Sequence, residues 1–390
     1  MEFNGYMGEE APNAVIRVVG VGGGGSNAVD RMIQAGLEGV DFITVNTDTQ
    51  ALAHSNAARR VRIGEKLTRG LGSGGNPLVG QKAAEETSEE LYEHLKGSDM
   101  IFVAAGMGGG TGTGASPIIA AIAQDLGALT VGVVTKPFSF EGNHRRKTAE
   151  QGIDQLKGAV DTLIVIPNDR LLQTASKNTT MLQAFQMADG ILHQGIQGIS
   201  DLVTRWGLIN VDFNDVKAVM AQAGSALMAI GLGQGDTRMI DAVNQAIASP
   251  LLEVSIDGAK AVLINVTGGE DLGIMETYEA LEIVARSVDP DCQTILGAQI
   301  DPTFAAGQVK VTLIATGFSE IQSTQRSRSY PAAQQQPQQR PQTQHPQPQP
   351  VQQPAQQRQP APTPPRAMPN FGSNEDLDIP PFLRNRNKGK

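Results

Sequence analysis

Gly106-Met107-Gly108-Gly109-Gly110-Thr111-Gly112-Thr113-Gly114 lies between an apolar run, Met100 to Ala104, and an apolar helical stretch, Ser116 to Ala123. A flexible linker does not join a buried strand directly to a packed helix, so these glycines shape a specific loop. Backbone N–H groups at such a strand-to-helix turn face an anion at close approach, helped by the helix dipole, and Thr111 and Thr113 add hydroxyl donors. A second run, Gly20-Val21-Gly22-Gly23-Gly24-Gly25-Ser26-Asn27, also follows an apolar strand and opens a helix. Two phosphate cradles on one sheet imply a polyphosphate. Neither run ends in the Gly-Lys-Ser/Thr of a P-loop, so the negative charge falls to backbone dipoles and to Mg²⁺ carried on the phosphates, with no direct metal ligand from the protein.

Working outward, Val15–Val19, Asp41–Val45, Met100–Ala104, Leu129–Val134 and Leu163–Ile166 read as buried strands, with amphipathic segments between them and Pro77 and Pro117 near helix starts. This alternation predicts an α/β fold: a doubly wound, Rossmann-like nucleotide-binding domain over 13–178 after a flexible extension, 1–12. A long central helix follows over 179–206, apolar around much of its circumference. Residues 207–318 mix strand and helix patterns and read as a smaller α+β domain.

From Pro331 to Arg366 there are 14 glutamines, 11 prolines and almost nothing apolar, a composition that builds no core. The expectation is a disordered Pro/Gln-rich linker over 319–373. Large apolar residues return in 374–390, where Ile379, Phe382 and Leu383 form one stripe at i, i+3 and i+4, with Asp378 able to cap the turn and Pro380 inside it. That is the spacing of a helix that docks in a partner's groove. Arg384, Arg386, Lys388 and Lys390 would add attraction to anionic lipid.

The chain has 390 residues and a net charge of −9, divided between a body of −15 and a tail of +6 beyond residue 320. An acidic body argues against a specific nucleic-acid partner. Cys292 is the single cysteine, which excludes a disulfide framework or thiolate cluster and reads as a small buried hydrophobe. The absence of a long apolar span or a signal-like start favours a cytoplasmic protein. Taken alone, Gly20, Gly22 and Gly25 with Asp41 fit a dinucleotide-binding oxidoreductase; the second glycine loop and the lack of a hydride-transfer site oppose it.

Gly108 to Gly114 matches the signature heptapeptide of the tubulin/FtsZ family, and the chain resembles that family from Val15 to Phe318. Further matching stretches are Asn46-Thr47-Asp48, Arg69-Gly70-Leu71-Gly72, Pro137 to Gly142, Ile166 to Leu171 and Asn210-Val211-Asp212-Phe213. The resemblance implies a GTPase of the bacterial cell-division cytoskeleton, with GTP/GDP and Mg²⁺ as cofactors. It implies that Gly22, Gly23, Gly24, Gly25, Ser26 and Asn27, with Gly110, Thr111, Gly112 and Thr113, hold the phosphates. Glu141 and Arg145 would contact the ribose and phosphate side, and Asp48 the ribose or Mg²⁺. Asn27, Asn168 and Asp189 would read a base stacked on Phe185. Guanine presents N1–H and an amino group side by side, a donor pair that one carboxylate accepts and that adenine lacks.

Neither loop brings an evident general base. Asp212 and Asp215, three apart at a helix start, are explained equally well as cap and dipole partner or as a catalytic pair. The resemblance implies the second: Asn210, Asp212 and Asp215 act in trans on the nucleotide of the next subunit in a head-to-tail filament, so that activity requires polymerisation. It also implies that Asp378, Ile379, Pro380, Phe382, Leu383 and Arg384 bind membrane-tether division proteins such as FtsA or SepF, placing filaments at the mid-cell division site beneath a membrane contacted only indirectly, alongside other division-site regulators. A non-catalytic GTP-sensing filament is the remaining alternative, opposed by the intact Asn210, Asp212 and Asp215. Trp206 and His144 have no role derivable from sequence.

Overall fold

The computed structural model describes residues 14–318 apart from 174, 177, 253 and 254. The extension 1–12, the linker 319–373 and the tail peptide 374–390, with Asp378, Ile379, Pro380, Phe382, Leu383 and Arg384, lie outside the described residues.

Ten strands are present among the described residues: β1 (Ile16–Val21), β2 (Asp41–Asn46), β3 (Arg59–Arg62), β4 (Met100–Gly106), β5 (Leu129–Lys136), β6 (Thr162–Pro167), β7 (Gly224–Gln234), β8 (Ala261–Gly268), β9 (Gln293–Ile300) and β10 (Gln308–Thr316). They follow the order β3-β2-β1-β4-β5-β6-β7-β10-β8-β9. The first six form a parallel, doubly wound sheet whose order reverses between β1 and β4. Ligands of such sheets bind at that reversal, outside the carboxyl ends of the strands. Both glycine runs begin there, directly after β1 and β4.

The parallel strands are apolar on both faces because both are covered. Val18, Met100, Phe102 and Val131 pack toward the first helix (Gly22–Gln34) and the central helix (Met181–Thr204). Val19, Val21, Ile101 and Val103 pack toward the opposite layer, which includes the signature helix (Thr111–Asp125) and the helix Asn143–Lys157. A third core, built from β8 and β10 and the helices Arg238–Ile247 and Ile274–Ala285, fills the second domain. None of the described helices is long and apolar enough to cross a membrane.

Several local expectations are corrected. Pro117 lies inside the signature helix, because that helix begins at Thr111, within the glycine run itself. Pro77 does open its helix (Pro77–Glu86), with the Asn76 side chain capping Leu78 N–H. Strand β3 went unrecognised because Arg59-Arg60-Val61-Arg62 holds a single buried residue, as suits a charged strand at a sheet edge. The second domain is joined to the first sheet by β7, whose Gly224, Ser225 and Ala226 pair with β6 before its remaining length pairs with β10. Cys292 is only partly buried, free, and packed at the margin of the third core.

Candidate nucleotide site

A cleft of about 370 Å³ opens at the carboxyl ends of β1, β4, β5 and β6. Its floor is the first turn of two helices. Gly23, Gly24 and Asn27 come from the first helix, and Gly109, Gly110, Thr111 and Gly112 from the start of the signature helix. Gly22 takes φ +69°, and a Cβ there would stand 2.7 Å from Gly112 N, so glycine is what lets the two loops touch. A Cβ on Gly25 would lie 2.3 Å from Ala104 O, which fastens the first helix onto β4. At Gly23 and Gly109 a Cβ would meet no protein atom within 4 Å: those two backbones face open cleft.

Gly22, Gly25, Ser26, Asp48 and Thr113 do not line the cleft. Ser26 is buried beneath it, its Oγ without a hydrogen-bond partner among the described residues. Thr113 Oγ1 accepts from Gly108 N–H at 2.9 Å and fixes the signature loop from below. Asp48 Oδ1 caps the short helix Thr49–His54, accepting from the N–H groups of Gln50 and Ala51. Its neighbour Thr47 reaches the cleft wall instead, with Oγ1 2.7 Å from Thr111 Oγ1, which in turn lies 3.0 Å from Ser73 Oγ. This hydroxyl chain ties three loops together around one threonine of the signature.

Beyond the glycine floor the cleft narrows between Glu141, Arg145, Asn168, Phe185 and Asp189. Glu141 accepts from Phe138 N–H and pairs with Arg145. Asn168 is buried, and its Oδ1 has no partner among the described residues, a polar atom held ready for a ligand. Phe185 is edge-on to Phe138 and Phe140 and partly exposed, so its ring is not consumed by core packing. Asn27 and Arg31 are one turn apart on the first helix, and Phe185 and Asp189 one turn apart on the central helix that faces it. Arg31 Nε donates to Asp189 Oδ2 at 3.0 Å. Burial lifts the Asp189 carboxyl above its ordinary range, and Arg31 opposes that rise.

The cleft presents glycine N–H groups and open backbone at one end, an ion pair at the middle, and a ring and a carboxylate at the far end, an arrangement with the chemistry to take a nucleoside polyphosphate. Sequence reasoning gave no role to Ser73 and Gly75, which line it from a loop, to Thr135 at the end of β5, or to Pro137 just after it. The dinucleotide alternative fails on geometry. Asp41 is the first residue of β2, at the end of the strand opposite the cleft, where Arg17 and Arg59 each approach its carboxylate to 3.6 Å.

Asn210, Asp212 and Asp215 are absent from this cleft. With Trp206 they line a separate pocket of about 350 Å³ below the central helix. Asp212 Oδ1 caps the helix Phe213–Met220 through Asp215 N–H at 2.9 Å, and Asn210 Oδ1 accepts from Gly207 N–H at 2.7 Å. From Asp189 to Thr204 the central helix rises roughly 22 Å. Thr204 ends against Gly39, just before β2, so the loop that follows leaves from the amino-terminal edge of the sheet.

Residues 15–176 match the GTPase domain of the tubulin/FtsZ family, and residues 224–319 match the C-terminal domain of the FtsZ family. An empty FtsZ dimer from M. jannaschii is 46% identical, with a TM-score of 0.75, over 78% of this chain and 89% of that one. Two Haloferax volcanii proteins share the fold at lower identity. CetZ1, a GDP-bound monomer, is 21% identical over 79% of this chain and 95% of its own, with a TM-score of 0.68. CetZ2, a GTPγS-bound protofilament, is 20% identical over 79% and 96%, with a TM-score of 0.67.

Proposed function

This chain belongs to the tubulin/FtsZ family and is a GTPase of the FtsZ type, and we propose that it hydrolyses GTP to GDP and phosphate only where two copies meet head to tail, each active site being divided between them. One observation carries this reading: the nucleotide cleft and the carboxylates Asp212 and Asp215 occupy opposite ends of one rigid helix, so no single subunit brings them together.

The surface supports the same geometry. Exposed large apolar residues gather around the cleft, at Leu71, Leu78, Phe140, Met181 and Leu182, and again at the opposite end, at Trp206, Leu208 and Ile209. Ile209 pairs with Ala298 near the end of β9, and Gly268, shortly before Ile274 and Met275, pairs with Ile300 at that same end. Exposed Ile274 and Met275 therefore extend the lower patch. Two apolar faces that differ from each other form a heterologous contact, which propagates as a filament when it does not close into a ring.

GTP fits the upper cleft with its phosphates over Gly23, Gly24 and Gly109–Gly112, its ribose beside Glu141 and Arg145, and its base between Phe185, Asn168, Asn27 and Asp189. Mg²⁺ would be carried on the phosphate oxygens of the nucleotide. Asn210, Asp212 and Asp215 of the neighbouring copy then position and polarise the attacking water. Phosphoryl transfer depends mainly on positioning and charge stabilisation, and half of both arrives in trans.

In the cell these filaments build the cytokinetic ring at mid-cell, and hydrolysis drives their turnover. The tail peptide 374–390 links them to membrane tethers of the FtsA or SepF kind, and the ring recruits other division proteins. Deleting 374–390 is expected to leave polymerisation and GTP turnover intact while abolishing localisation to the division site, scored by fluorescence microscopy; unchanged localisation would remove this role.

Mixing two inactive variants tests the divided site. Gly109→Trp, at a backbone that faces open cleft, blocks the upper site and keeps the lower carboxylates; Asp212→Ala does the reverse. Phosphate release reappearing in the mixture is expected, because one junction type again contains both halves. A mixture as silent as its components would overturn the proposal.

A further inference from the structure

Arg31 contacts the nucleotide cleft only at second hand. It is not among the lining residues, whereas its partner Asp189 is. The Asp189 side chain is 15% exposed and that of Arg31 35%, so the guanidinium braces the carboxylate from the solvent side of the two facing helices. Resting on the reading of Asp189 as the base-selecting carboxylate, we propose that Arg31 is a positioning residue for guanine selection: its Nε–H takes one lone pair of Oδ2 and so holds the carboxylate, in its acceptor form, with its remaining lone pairs toward the purine edge.

The chemistry requires such a brace. Guanine offers N1–H and the 2-amino group together, and a carboxylate accepts both, whereas a protonated carboxyl turns one oxygen into a donor that confronts them. Burial alone drives Asp189 toward that protonated form, and Arg31 opposes it by hydrogen bond and by charge. The other charges near this end of the cleft do not substitute for it. Glu141 and Arg145 pair with each other, and His193, one turn further along the central helix, is pushed toward its neutral form by burial and by Lys310. An arginine suits the task, being charged throughout the working range and fixed in direction by its planar fork.

The test uses the full chain at concentrations below assembly, with GDP and IDP as probes; inosine lacks the 2-amino group. Affinities are measured by calorimetry from about pH 6 to about pH 8.5 for wild type, Arg31→Gln, Arg31→Lys and Asp189→Asn. Expected for Arg31→Gln is a loss of GDP affinity of about tenfold near pH 6 that shrinks as pH rises, with the GDP-over-IDP preference shrinking in step. Arg31→Lys should fall between, restoring charge without the fork. A loss by the same factor at every pH, or none at all, would overturn the role of Arg31 while leaving Asp189 as base reader, provided Asp189→Asn abolishes the GDP preference. If Asp189→Asn keeps that preference intact, the base reading itself falls, and this proposal with it.

Discussion

Two glycines of the first cradle, Gly23 and Gly25, should respond to the same substitution in opposite ways. At Gly23 an added methyl meets no protein atom within 4 Å, so Gly23→Ala folds without strain and gains about 0.4–1 kcal/mol from the less flexible unfolded chain. The methyl instead occupies space over the helix amino terminus where a phosphate would sit. Losing one hydrogen bond to a charged group costs about 1.5–3 kcal/mol, or roughly 10- to 100-fold in affinity. At Gly25 the methyl would lie 2.3 Å from Ala104 O and 2.9 Å from Gly20 C, both backbone, so Gly25→Ala should destabilise the protein by about 1–3 kcal/mol, as overpacking does. Thermal melts without nucleotide, paired with GTP titration by fluorescence competition, separate the two effects. Gly23→Ala should melt at or slightly above wild type and bind weakly; Gly25→Ala should melt lower. If Gly23→Ala bound GTP as wild type does, the first glycine run would serve packing alone and the location of the phosphates would be wrong.

Other outcomes follow from individual contacts. Asp212→Asn preserves the cap on Phe213–Met220, since Asn and Asp cap about equally, so its melting point should match wild type while phosphate release falls about 100-fold or more and GTP binding persists; undiminished release would return Asp212 to a purely structural role. Thr111→Val leaves the buried Thr47 hydroxyl without its 2.7 Å partner, a loss of about 1–3 kcal/mol measurable by urea unfolding, and loosens the Ser73 loop. The Gly307 N–H and then Arg238 hold the Asp271 carboxyl below its ordinary value of 3.8, and Arg238 holds that of Glu276 below 4.5. Their contribution is therefore complete above those values and is lost as pH falls through the depressed ones. Arg238→Met should be less stable than wild type at neutral pH, with the two melting temperatures drawing together as pH falls below those ordinary values; a gap constant with pH would exclude the ion pairs as its cause.

Much of the architecture could be read from local pattern. Apolar runs buried on both faces, such as Phe102 and Val103, mark parallel strands, and Thr180 with Gln183 forms a capping box that opens the central helix. Those signals lie within a few residues of one another, where backbone geometry alone relates them. Edge strand β3 escaped because charge hides it. Strand β9 escaped because Gln293 to Ile300 is interrupted by Gly297, whose missing Cβ leaves room for Leu202 of the central helix.

The two glycine runs and the absence of a P-loop lysine came from the order of residues in the chain, because a strand-to-helix turn is a local device that glycine permits and side chains forbid. That Asp189 stands beside Arg31, that Thr47 and Ser73 converge on Thr111, and that Asp41 points away from the cleft were decided only by the tertiary structure. Each is a meeting of segments far apart in the chain, and a helix pattern cannot tell a carboxylate facing solvent from one facing a ligand. The separation of the cleft from Asp212 and Asp215 is of the same kind: their presence is written in the sequence, but the length and direction of the helix between them place them on opposite faces.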